Sequence, residues 1–146
     1  RCIDNAIHTF AGVKLRECCH QIQLTQGKKE PVGTVKVTPS FHLPCDYVFH
    51  TVGPFIPPGK PVTAIRKQLL EKCYISCLKK AEEMKLESLA FCGISTGQFG
   101  FPVEEAAPIA VSVVTDWAKQ HAFPETIILS TYTNEEQMAY GKLLQS

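Results

Sequence analysis

The chain has 146 residues, 45% hydrophobic and 20% charged, a globular composition long enough for one domain with one real core. Its formal net charge of +1 excludes a general nucleic-acid footprint. No apolar run reaches membrane-spanning length and no charged-then-apolar leader opens the chain, so neither a membrane span nor secretion is expected.

In chain order, Ile3, Ile7, Phe10, Ala11, Leu15 and Cys18 recur at helical spacing and predict a helix from Asp4 to about Cys19, with Asp4 as its N-cap. Gln26 to Glu30 is polar and reads as a loop. Gly33 to Pro39 alternates, with Val35 and Val37 on one face, and predicts a strand. A second strand follows over Asp46 to Val52, ended by Gly53-Pro54. Proline keeps Pro57 to Pro61 out of regular structure. Thr63 to Lys85 carries a helical stripe, Ser88 to Cys92 reads as a short buried strand, and Pro102 to His121 as a helix. Thr126 to Thr131 is a strand and Asn134 to Leu144 a last helix, with Asn134 as cap. The alternation of helices and strands in the second half predicts an α/β layer whose parallel strands are covered on both faces.

The cysteine count is seven, an odd number without disulfide-scaffold spacing, which points to free thiols in a reducing compartment. A bridge between the neighbours Cys18 and Cys19 would be strained. Cys73 and Cys77 extend the apolar stripe of Ile65, Leu69, Leu70, Leu78 and Ala81 and read as core rather than as metal ligands. The basic pairs Lys28-Lys29 and Lys79-Lys80 are short and read as solvated faces.

Chemistry concentrates between Gly93 and Pro102. Gly93, Ile94, Ser95, Thr96, Gly97, Gln98, Phe99 and Gly100 join a strand end to a helix start. Glycines there let backbone N–H groups close on an anion without Cβ atoms in the way. The following helix adds unsatisfied N–H groups and the positive end of its dipole, and Pro102 suits its first position. A diphosphate-containing ligand is therefore expected. In open α/β sheets, ligands sit at the carboxyl ends of strands, where this loop lies.

Three segments carry a resemblance. Cys2-Ile3-Asp4-Asn5-Ala6-Ile7-His8, followed by Ala11-Gly12, resembles the start of the first ligand-side helix of macrodomains. The run from Leu43 through Pro54, with Tyr47-Val48-Phe49-His50-Thr51-Val52-Gly53-Pro54, resembles a strand of the same family. The loop Ile94-Ser95-Thr96-Gly97-Gln98-Phe99-Gly100-Phe101-Pro102 is similar to the family's phosphate loop. All three occur in order across nearly the whole chain.

The resemblance implies a three-layer α/β/α macrodomain with a mixed central sheet, here spanning residues 1–146 and lacking the family's N-terminal strands. The chain opens at Arg1-Cys2 without methionine and is expected to be the larger C-terminal part of the domain. By itself it is expected to be unstable, with strand edges left bare. The wording around Cys2 resembles the zinc-dependent bacterial group, in which two cysteines and a histidine hold the metal. Cys2 matches one of these ligands, and the other two are expected upstream. Zinc would polarise an oxygen, activate water or orient the distal ribose.

The same resemblance implies a cytoplasmic hydrolase that removes mono-ADP-ribose from acidic side chains. Asp4 would activate water or orient the ribose hydroxyls. Ile3 and Asn5 would lie near phosphates and ribose, Phe99 against the distal ribose, and Tyr132 near adenine. It further suggests a monomer acting against a sirtuin-type ADP-ribosyltransferase, with a lipoyl-carrier-like protein as target. The alternatives are a reader that holds ADP-ribose without cleaving it, and an O-acetyl-ADP-ribose deacetylase. His8 and His50 are expected to make structural hydrogen bonds. Glu104 and Glu105 read as first-turn acids favoured by the helix dipole.

Overall fold

The computed structural model describes residues 3–145, so Cys2 lies outside the described residues. The elements run α1 (Ile3–Ala11), α2 (Val13–Gln26), β1 (Val35–Pro39), β2 (Tyr47–Thr51), α3 (Ala64–Glu83), β3 (Ser88–Phe91), α4 (Val103–Gln120), β4 (Thr126–Leu129) and α5 (Asn134–Leu144). Each expected helix and strand is present, with one division. The single helix expected over Asp4–Cys19 is two helices, because Gly12 takes φ +94 and the ladder ends there. Because α1 begins by Ile3, Asp4 sits inside its first turn rather than at its cap.

Two other caps also differ from expectation. Pro102 is the N-cap of α4 and not its first residue. Thr133, not Asn134, caps α5: its side chain accepts from the Glu136 N–H at 3.1 Å, completing a capping box. Thr63 caps α3 in the same way, accepting from the Arg66 N–H.

The strands form two ladders. β1 and β2 pair antiparallel, with Val37 opposite Phe49 and Lys36 opposite His50. β3 and β4 pair parallel, with Phe91 opposite Leu129. Parallel and antiparallel pairing are thus both present, and among the described residues no backbone ladder joins β2 to β3. The β1–β2 pair is a middle layer. Phe49 and Val35 pack into the core that Leu70, Cys73, Tyr74 and Cys77 of α3 build, while His50 on the opposite face meets Cys19 of α2.

The β3–β4 pair is covered on one face only, which corrects the expectation of cover on both. Leu89, Phe91, Ile127 and Leu129 pack against the core, while Ala90 and Ile128 on the other face are exposed. The core joins α3, α4 and α5 through Leu78, Ala106, Ala110, Val114 and Tyr140, with Phe101 sealing the start of α4. Cys73 and Cys77 belong to it, as their stripe predicts.

Candidate functional site

The loop after β3 runs from Cys92 to Pro102 and lies where the parallel strands end, beside the β4–α5 turn. Its shape is fixed by few bonds. The Phe101 N–H donates to the Ser95 carbonyl at 2.9 Å, and the Gly100 N–H to Gly97 at 3.1 Å. From the neighbouring loop, the Ile56 N–H donates to the Phe99 carbonyl at 2.8 Å. These bonds consume carbonyls. The N–H groups of Ser95, Gly97, Gln98 and Phe99 find no acceptor among the described residues. Unpaired N–H groups on one short segment are what an oxyanion needs.

Both hydroxyls of the loop turn toward protein. Ser95 holds φ +65, a left-handed conformation uncommon outside glycine, and its Oγ is buried without a hydrogen-bond partner among the described residues. It lies over Gly53, where any Cβ would overlap it, so the end of β2 and the loop touch only because residue 53 is glycine. The Thr96 hydroxyl donates to Glu136 at 2.9 Å. The acidic first turn of α4, Glu104 and Glu105, already complements the helix dipole. The groups left open to an anion are thus the loop amides rather than that helix end.

Phe99 is 41% exposed and meets Phe55 edge-to-face, ring centroids 5.8 Å apart. Phe55 escapes sequence reasoning; its signal is the aromatic directly after Gly53-Pro54. Tyr132 is 88% exposed on the turn between β4 and α5. Its N–H donates to Glu136 Oε2 at 2.9 Å.

Ile3, Asp4 and Asn5 all lie exposed on the first turn of α1. His8, one turn on, places Nε2 3.7 Å from Asp4 Oδ1, too far for the structural hydrogen bond expected. Its Nδ1 is buried with no partner among the described residues. The His8 ring lies 6.5 Å from that of His50, which bonds the Thr38 hydroxyl at 2.9 Å, as a core histidine should. Burial, and secondarily His8, lowers the His50 pKa below its ordinary 6.5, against the pull of Asp4. His50 and Gly53 are three residues apart on extended chain, roughly 10 Å. The chain from β2 to Gly53 therefore links the Asp4 cluster to the loop after β3.

The thiols divide by burial. Burial pushes Cys77 up to about 12 and raises Cys73 as well, so both stay protonated at neutral pH. Among the described residues, no three His, Cys, Asp or Glu side chains gather closely enough to hold a metal.

The Macro domain family matches residues 1–110 of this chain. The chain belongs to the macrodomain family. This macrodomain is 48% identical over 143 residues to a protein-ADP-ribose hydrolase of Treponema medium, covering 98% of this chain and 54% of that protein. It is 45% identical over 139 residues to a protein-ADP-ribose hydrolase of Staphylococcus aureus, covering 95% and 52%. The chain spans about half the length of these curated relatives. Its fold matches the Oceanobacillus iheyensis macrodomain solved with ADP, at a TM-score of 0.91 and 29% identity over 99% of this chain and 75% of that one. It also matches a Trypanosoma brucei macrodomain in complex with ADP-ribose, at a TM-score of 0.80 and 31% identity over 99% and 57%.

Proposed function

We propose that this macrodomain binds ADP-ribose and, in the protein of its natural length, removes mono-ADP-ribose from acidic side chains of modified proteins. The observation that carries the reading is the unpaired N–H row of Ser95, Gly97, Gln98 and Phe99 at the strand ends. In this reading it is a diphosphate cradle, in a chain 45–48% identical to proteins named protein-ADP-ribose hydrolase.

In this reading the loop amides hold the diphosphate, Phe99 with Phe55 walls the distal ribose, and Tyr132 packs near adenine. Ile3 and Asn5 face phosphate and ribose from α1. Water adds at C1″ of the distal ribose as the bond to the carboxylate oxygen breaks. ADP-ribose and a free carboxylate are released. Asp4, whose side chain is 67% exposed and open to solvent, accepts the proton of that water and passes it on.

We also propose a zinc ion with Cys2 as one thiolate ligand; when bound it supplies Lewis acidity beside the distal ribose. The described residues do not complete such a site by themselves. A cytoplasmic enzyme reversing a sirtuin-type ADP-ribosyltransferase on a lipoyl-carrier-like target is the setting that fits this chemistry.

The test is release of ADP-ribose from a protein mono-ADP-ribosylated on acidic residues, using the full-length protein, with and without a zinc chelator. Release that stops on chelation and returns with zinc supports the whole reading. Release indifferent to chelation discards the zinc. Binding without release makes the domain a reader.

A further inference from the structure

We propose that Glu136 is a positioning residue that locks the phosphate loop and the Tyr132 turn into one unit, so that both ends of ADP-ribose are held in register. This rests on the ADP-ribose reading above. Glu136 lies in the first turn of α5 and is only 7% exposed. A buried carboxylate is costly unless its oxygens are fully bonded. The ion pairs His8–Asp4, Lys80–Glu83 and His121–Glu82 do not involve it. Hydrogen bonds and the α5 dipole hold it instead.

Those bonds point in two directions. Oε2 accepts the N–H groups of Tyr132 at 2.9 Å and Thr133 at 3.3 Å. Oε1 accepts the Thr96 hydroxyl at 2.9 Å, across 40 residues of sequence. Capping α5 accounts for Oε2 alone. It leaves unexplained why the other oxygen is buried against the ligand loop. Gly93 fits the same purpose: a Cβ there would come within 2.5 Å of both Glu136 Oε1 and Thr96 Oγ1. One carboxylate thus grips the loop with one oxygen and the Tyr132 turn with the other. Glu136 touches no reacting atom, so its effect is on binding geometry.

Glutamine keeps the shape but replaces the charge-assisted bonds at both ends with weaker neutral ones, its amide nitrogen donating where a carboxylate oxygen accepted. Hydrogen exchange on the ligand-free full-length protein reads the tether without reference to any ligand. Glu136→Gln is expected to speed exchange at both 93–101 and 131–133 while β1 and β2 stay unchanged. Faster exchange at 131–133 alone would reduce Glu136 to a helix cap and overturn the proposal.

Calorimetry with ADP-ribose then reads the coupling. Glu136→Gln is expected to weaken binding on the order of tenfold, as for a lost charge-assisted hydrogen bond, and to raise KM with kcat within about twofold. The penalty of Tyr132→Ala is expected to shrink in the Glu136→Gln background, a non-additive cycle. Additive penalties, or a fall in kcat at constant KM, would contradict the proposal. Should Glu136→Gln not fold, Thr96→Val cuts the loop side alone and leaves the cap. It must weaken ADP-ribose binding at a temperature where the variant is fully folded, its thermal midpoint lowered by the unpaired Glu136 oxygen, and unchanged affinity would overturn the tether. If the unmodified protein binds no ADP-ribose, the proposed function falls, while the exchange result still decides the tether.

Discussion

The two sides of the site are built differently. The loop at 93–101 stands on the main core: it begins beside Phe91 and Ile94, ends on Phe101, and is gripped by Ile56 and Glu136. The first turn of α1 has no such footing. Ile3, Asp4 and Asn5 are exposed, and α1 buries only Ala11 at its far end. The loop proposed to hold the diphosphate is anchored on the core, whereas the carboxylate nearest the proposed chemistry stands on a thinly packed helix. Binding and turnover should therefore be separable by mutation.

The largest expected effect breaks the rigid side. Gly53→Ala drives a Cβ into Ser95 Oγ and must displace the loop. Overpacking of this kind costs about 1–3 kcal/mol, and ADP-ribose affinity should fall more than stability does. Calorimetric binding beside thermal melts checks this, and unchanged affinity would mean the loop does not need its seat on β2.

A smaller effect comes from the α5 cap. Thr133→Ala should cost about 1 kcal/mol by removing the cap acceptor, read from denaturant unfolding. Affinity should move less than with Glu136→Gln, because the Thr96 bond survives.

On the α1 side, His50 has a lowered folded pKa, so the unfolded chain binds its proton first. Its contribution is complete above the ordinary value of 6.5 and is lost as pH falls from there through the lower folded value. Stability measured against pH should drop in that window, and His50→Gln should flatten the drop. An unchanged profile would show that another group causes it.

The smallest effect is chemical. With Cys77 pushed up to about 12 and Cys73 also raised, neither should react with a thiol reagent in the folded state, while exposed Cys45 should. Mass spectrometry of native labelling decides it. Early modification of Cys77 would show that the α3 core opens readily.

Much of this fold was legible because helical stripes and alternation are one-dimensional signals. The α3 stripe placed Cys73 and Cys77 in the core, and Gly53-Pro54 marked the end of β2. What stayed hidden depends on distant partners. Composition cannot show that Gly12 turns left-handed and splits a continuous stripe. The loop itself was readable from its glycines, but its inward-facing hydroxyls were not, since Ser95 meets Gly53 and Thr96 meets Glu136 only in three dimensions. Glu136 did leave a local trace. Thr133 followed three residues later by Glu136 is a capping-box spacing, and reading it would have moved the cap from Asn134. Phe55 left only its place after a turn, and the pairing of His121 with Glu82 at 2.8 Å and with the Trp117 ring left none.

The most direct test uses Asp4→Ala in the full-length protein, with ADP-ribose affinity and ADP-ribose release measured on the same preparation. Turnover should fall by on the order of a hundredfold or more, the scale of a lost general base, with affinity within a few-fold and the thermal midpoint unchanged. Affinity and turnover falling together would contradict the separation of the two sides and remove Asp4 from the chemistry.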